Sequence, residues 1–213
     1  MLLCYITDRS QFSGNESARR GRLLDKIEEA ARCGVDFIQL REKDLITREL
    51  ELLAFEALRA IREHSLSTTQ LLINSRTDVA LAAGADGVHL RSEDISPFDV
   101  RGISDLHAPG RHSRFTIGVS CHSLQEVRRA ANHADFVVYG PIFQKKAVSL
   151  RPAAGVEALH EACREKIPVL ALGGITLENA GACLGAGASG IAGIRLFQEN
   201  EVRKVVDLLR SLP

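Results

Sequence analysis

Short apolar runs alternate with amphipathic stretches along the whole chain. The runs 2–7, 37–40, 71–74, 87–90, 115–120, 136–140, 169–172 and 190–194 are mostly apolar and bounded by glycine or charge. That is the pattern of strands buried on both faces. Between them lie segments with apolar residues at helical spacing. Segment 18–32 carries Leu23, Leu24, Ile27, Ala30 and Ala31, and 47–64 carries Leu50, Leu53, Ala54, Ala57, Leu58 and Ile61. Further helices are predicted near 78–83, after Pro97, over 124–132 and 156–166, from a Thr176 cap to Leu184, and over 202–212. Cys33-Gly34 ends the first helix, glycine being favoured just past a helix C-cap.

Eight strand–helix units in one chain predict an α/β fold, a single (β/α)8 TIM barrel spanning residues 1–213. A repeat supports closure over the rival open doubly wound sheet. Gly34-Val35-Asp36-Phe37, Gly84-Ala85-Asp86-Gly87, His133-Ala134-Asp135-Phe136 and Gly187-Ala188-Ser189-Gly190 each join a helix end to an even-numbered strand, like four quarter-barrels.

Composition narrows the function classes. Lys plus Arg total 27 and Asp plus Glu 27, so nothing marks a nucleic-acid or acidic-membrane partner. No apolar run reaches the roughly 18 residues a membrane span needs. The N-terminus lacks a basic segment and a cleavage site, and reads as a first strand. Five cysteines without a C-x-x-C pair suggest reduced thiols and a cytoplasmic protein. Cys121, at a strand end, is the one thiol placed to react, with buried packing the default for all five. A homo-oligomer is compatible with all of this.

In a barrel the chemistry sits at the C-terminal strand ends. Those ends include Thr7-Asp8, Gln39 to Lys43, Asn74-Ser75-Arg76, His89 to Asp94, Ser120-Cys121-His122, Tyr139-Gly140-Pro141, Gly173-Gly174 and Gly193-Ile194-Arg195. Gln39, Arg41 and Lys43 alternate at period two, so a strand points all three the same way. Two cations and an amide converging there form a receptor for phosphate or carboxylate. The alternative is a solvated strand end, with a salt bridge to Glu42 or Asp44. His89 reads as an interior packing histidine, and Glu93 as a loop acid.

Tyr5-Ile6-Thr7-Asp8, the run from Gly34 to Asp44, the stretch 74–94, Gly118-Val119-Ser120, Gly140-Pro141-Ile142-Phe143 and Gly173-Gly174-Ile175-Thr176 resemble the thiamine-phosphate synthase/TenI family of barrels over nearly the whole chain. In the synthases an aminopyrimidine pyrophosphate ionises and a thiazole phosphate nitrogen captures the pyrimidine cation. The resemblance implies small phosphorylated pyrimidine and thiazole substrates. It implies Gln39, Arg41 and Lys43 on the pyrimidine pyrophosphate with Asn74 beside them, and Asp94 as a Mg2+ ligand. Ser120 would contact substrate, and the Gly174 amide, with Gly173, would bind the thiazole phosphate.

Three departures bear on the reaction. Asn74-Ser75-Arg76 stands where the family carries Asn-Asp-Arg, so a second metal-binding carboxylate is missing. Residues 144–149 lack the two threonines of the synthase loop, and only lysines such as Lys145 remain to meet pyrophosphate. Ile194-Arg195 replaces a small turn, giving an extra cation for phosphate or a helix cap. The TenI branch isomerises a thiazole without pyrophosphate or metal, using a histidine at the place of His122. Imidazole, with an ordinary pKa near ~6.5, suits that proton shuttling. Three readings therefore stand: a synthase, a thiazole tautomerase with His122 as acid and base, and a non-catalytic barrel that binds thiamine phosphates.

Overall fold

The computed structural model describes residues 1–63, 68–107, 114–143 and 152–212. Eight parallel strands close into a barrel in sequence order: β1 Leu2–Ile6, β2 Phe37–Leu40, β3 Gln70–Asn74, β4 Gly87–Leu90, β5 Thr116–Cys121, β6 Phe136–Tyr139, β7 Val169–Leu172 and β8 Gly190–Gly193, with β8 pairing back on β1. The helices are α1 Glu16–Arg32, α2 Thr47–Arg62, α3 Thr77–Ala82, α4 Pro97–His107, α5 Leu124–Ala130, α6 Gly155–Cys163, α7 Ala180–Gly185, α8 Arg195–Gln198 and α9 Val202–Arg210. None of the described helices is long and apolar enough to cross a membrane.

The quarter-barrel repeat has a physical cause. Asp36, Asp86 and Asp135 each accept a hydrogen bond from the backbone of the preceding odd strand, from Leu3, Leu71 and Ile117 at 2.8, 2.8 and 2.7 Å. Their own amides donate back to the carbonyls of the same three residues at 3.1, 3.0 and 2.8 Å. Each aspartate thus staples the bottom of an odd strand to the even strand after it. Ser189 keeps only the backbone half of this arrangement, donating to the Val169 carbonyl at 2.8 Å.

Inside the barrel, Phe37 and Phe136 stack at 4.7 Å, filling the centre from even strands. Alternate strands must then supply small residues for the layers to fit. At Gly118 an added Cβ would lie 2.6 Å from the Phe136 ring and 2.7 Å from His89 Nδ1. The layers nearer the C-terminal end turn polar on one side only. Gln39, Asn74, His89 and Ser120 lie on β2 to β5, while Val138, Leu172, Ala192 and Ile6 lie on the other strands.

Element edges differ from the sequence reading where capping decides them. α1 begins earlier, at Glu16, because the Asn15 side chain accepts from the Ala18 amide at 3.0 Å. Thr176 does not cap α7. Its amide donates to the Asn179 side chain at 2.8 Å, closing a turn that delays the helix to Ala180. β8 stops at Gly193, and α8 is a one-turn helix too short to show a period.

Candidate active site

The C-terminal rim of β1 and β2 is fastened by a cation that the sequence reading passed over. Arg9 is 4 % exposed. Its guanidinium meets Glu42 at 3.1 Å, Asp44 at 2.7 and 2.8 Å and Glu16 at 2.6 Å. Glu42, also buried, accepts in addition from the Thr7 hydroxyl at 2.6 Å and the Arg9 amide at 3.0 Å. Thr7 Oγ1 in turn accepts from the Arg41 amide at 2.9 Å. The alternative of Arg41 or Lys43 bridged to Glu42 or Asp44 is therefore overturned: Arg9 takes both acids. Among the described residues, neither Arg41 nor Lys43 has an ion-pair partner.

These two cations lie among charges of both signs. Burial pulls the Arg41 guanidinium below its ordinary value, against the attraction of Asp8 and Glu42. The Arg41 charge, ahead of burial, lowers the Lys43 ammonium, and Arg91 adds to the effect. A cluster of unpaired cations at a barrel mouth is a receptor for a multiply charged anion.

Below it the floor is polar. Gln39 donates to the Asn74 side-chain oxygen at 2.8 Å, and Asn74 donates to Ser75 Oγ at 3.2 Å. The buried Gln39 Oε1 has no partner among the described residues. Ser75 adopts a left-handed φ of 62°, and its side chain helps to lower the Asp94 carboxyl. Asp94 accepts from Arg91, from the amide at 2.8 Å and from the guanidinium at 3.1 and 2.9 Å. Burial pushes the Asp94 carboxyl up, but the bonds from Arg91 and the effect of Ser75 outweigh it and hold it below the ordinary range.

His89 is an interior histidine, as expected from its place in the strand. It packs on Phe136 at 6.0 Å, and its Nε2 lies 2.9 Å from Ser120 Oγ. Burial, helped by the Arg41 charge, lowers its pKa to about 4. This sets a pH dependence of stability. The folded value lies below the unfolded one of ~6.5, so the unfolded chain takes up a proton first as pH falls. Stability is complete above ~6.5 and is lost as pH falls toward about 4, by on the order of 3 kcal/mol. Urea melts at pH 7 and 4.5 should show the loss in wild type and a much smaller one in His89→Gln. Equal losses would place the proton uptake elsewhere.

His122 is exposed beyond β5. Its Nδ1 lies 2.5 Å from the Gly140 carbonyl, which accepts a hydrogen bond from Nδ1–H, so in the neutral ring the lone pair sits on Nε2. Cys121 is fully buried, with its thiol pushed up to about 12 by burial, so it packs rather than reacts.

Gly173 and Gly174 have φ of 101° and 66°. An added Cβ would lie 2.6 Å from Pro141 at Gly173 and 2.7 Å from the Phe143 carbonyl at Gly174. Packing of these two loops thus requires glycine whether or not phosphate binds there. Arg195 is exposed and opens α8, whereas α9, the last helix, starts at Val202 behind Glu201, so Arg195 does not cap the last helix. Lys145 lies outside the described residues.

A closed parallel barrel, with two cations that lack an ion-pair partner among the described residues, a polar floor and glycine turns at its C-terminal mouth, defines a (β/α)8 protein with a cationic strand-end face. The profile of the family described as thiamine monophosphate synthase matches residues 3–197, and the chain belongs to that family. It is 38% identical over 196 residues to a putative thiamine-phosphate synthase 2 from Aquifex aeolicus, covering 91% of this chain and 96% of that one. A thiamine-phosphate synthase from Chlorobium luteolum is 38% identical over 204 residues, covering 94% and 86%. The solved thiamine phosphate pyrophosphorylase from Pyrococcus furiosus superposes with a TM-score of 0.78 at 31% identity, covering 99% of this chain and 94% of that one.

Proposed function

We propose that this chain is a thiamine-phosphate synthase, a transferase joining an aminopyrimidine pyrophosphate to a thiazole phosphate with release of pyrophosphate. The observation that carries it is the pair Arg41 and Lys43, which have no ion-pair partner among the described residues because Arg9 holds both neighbouring acids. In the reaction, the carbon–oxygen bond to pyrophosphate breaks and the electron pair leaves with the pyrophosphate. The thiazole nitrogen then donates its lone pair to the exocyclic carbon, closing the carbon–nitrogen bond. Negative charge grows on the leaving group as the bond breaks, so cations fixed in advance lower that barrier. Arg41 and Lys43 supply them. The spare Gln39 acceptor suits the amino group of the pyrimidine. Gly173, Gly174 and Arg195, across the mouth, are our assignment for the thiazole phosphate.

Magnesium takes one or two carboxylates and fills its shell with phosphate oxygens and water. Asp94 is the carboxylate placed to fit, beside Ser75, and no cluster of three acidic, histidine or cysteine ligands occurs among the described residues. These residues suit an ion that arrives with the pyrophosphate and offsets part of its charge.

Incubation with both substrates should yield thiamine phosphate and pyrophosphate in equal amounts, and the absence of both products would remove this reading. The tautomerase reading keeps one supporting observation, the Nε2 of His122, which has no hydrogen-bond partner among the described residues. Metal-independent isomerisation of the thiazole, abolished in His122→Ala, would establish it instead.

Ser75→Asp separates the two. The left-handed φ at position 75 is one that aspartate tolerates better than most residues. In a synthase the added carboxylate should raise turnover about tenfold or lower the magnesium requirement, one charge-assisted ligand being worth ~1.5–3 kcal/mol. In a tautomerase it should leave the rate flat. A variant with no gain in magnesium affinity or synthase rate would count against the synthase reading.

A further inference from the structure

We propose that Thr7 is a positioning residue for pyrophosphate departure, its hydroxyl fixing the backbone of Arg41 from behind the rim of the barrel. The inference rests on the synthase reading and adds a residue behind its site. Thr7 follows β1 and is fully buried. Its amide continues the parallel ladder, donating to the Gln39 carbonyl at 3.0 Å. In a regular ladder the next bond would run from the Arg41 amide back to the Thr7 carbonyl. Here that amide donates instead to Thr7 Oγ1, at 2.9 Å. β2 ends at Leu40, so the hydroxyl takes over where the ladder stops.

The direction of that hydroxyl is fixed in turn. A hydroxyl has one proton to donate. Thr7 directs it to Glu42 Oε1 at 2.6 Å, which turns a lone pair toward the Arg41 amide. Glu42 Oε2 is held by the Arg9 amide at 3.0 Å and by its guanidinium at 3.1 Å. Arg9 also grips Asp44, at 2.7 and 2.8 Å. Along 41–44, then, the two acids are anchored, while the two cations have no ion-pair partner among the described residues. Burying a carboxylate is costly even when it is well bonded. A strand end that needed only an acceptor for one amide could use the ladder carbonyl. The buried relay from Arg9 through Glu42 to Thr7 does more: acting on the backbone amide, it sets the direction in which Arg41 leaves β2. Cations fixed in advance are what charge growing on a leaving group requires.

Thr7→Val, which keeps the branched shape without the hydroxyl, tests this beside Thr7→Ser, which keeps the hydroxyl. In single-turnover assays Thr7→Val should release pyrophosphate roughly 10–100-fold more slowly, the scale of a small misplacement of a reacting group. Its steady-state KM for the thiazole phosphate should not change, and Thr7→Ser should run close to the wild-type rate. Calorimetric titration with inorganic pyrophosphate completes a cycle. Thr7→Val should weaken binding when Arg41 is present and add little in Arg41→Met, because the hydroxyl acts through Arg41. Urea melts of the same samples check folding. Thr7→Cys, whose thiol is a weak acceptor, takes the place of Thr7→Val if that variant does not fold. An unchanged rate in Thr7→Val, equal impairment of Thr7→Ser, or the same loss of pyrophosphate affinity with and without Arg41 would overturn the inference while leaving the synthase reading in place. A wild type that makes no thiamine phosphate would overturn both.

Discussion

Arg9→Met should lower folding stability by about 3–5 kcal/mol, the range seen when one partner of a buried ion pair is removed. The loss comes from what is left behind. Glu42, with a side chain 2 % exposed, would keep its charge with only the Thr7 hydroxyl and one amide as donors. Asp44 and Glu16 are far more exposed, at 73 % and 60 %, and water compensates them. The double variant Arg9→Met/Glu42→Gln removes the stranded charge and should recover most of the stability. Urea midpoints at pH 7 measure both. A single variant within ~1 kcal/mol of wild type, or a double variant no better than the single, would show that the network contributes little.

Arg9 also marks the limit of what the sequence discloses. Residues two apart on one strand share a face, so the common direction of Gln39, Arg41 and Lys43 is legible locally. Which acid pairs with which base is not, because two of the three partners of Arg9, Glu42 and Asp44, lie 33 and 35 positions away, on the next strand's loop. The repeat of Asp36, Asp86 and Asp135 was visible as spacing, but its cause, a staple to the preceding odd strand, needs the register of parallel strands. His89 could be assigned to the interior from its apolar neighbours, whereas its contact with Ser120 depends on β4 and β5 being paired. The fold was legible because it rests on period and repeat. The site was legible as a set of strand ends and not as a set of partners.

Arg41→Met should reduce synthase kcat by about 10²–10³-fold, the usual cost of removing one preorganised group that stabilises transition-state charge. Stability should move the other way. The Arg41 guanidinium is partly buried without an ion-pair partner among the described residues, and burial already lowers its proton affinity. Its removal strands no acid, since Glu42 is held by Arg9. The variant should therefore be as stable as wild type, or up to ~1 kcal/mol more stable, a trade in which a strained charge is kept for function. Arg41→Lys should restore the charge but not the planar fork, and recover only part of the rate. Single-turnover measurement of pyrophosphate release, beside urea melts of the same samples, separates chemistry from folding. A large loss of rate that tracks a large loss of stability would make Arg41 structural. Full activity in Arg41→Met would take the pyrophosphate site away from β2 altogether.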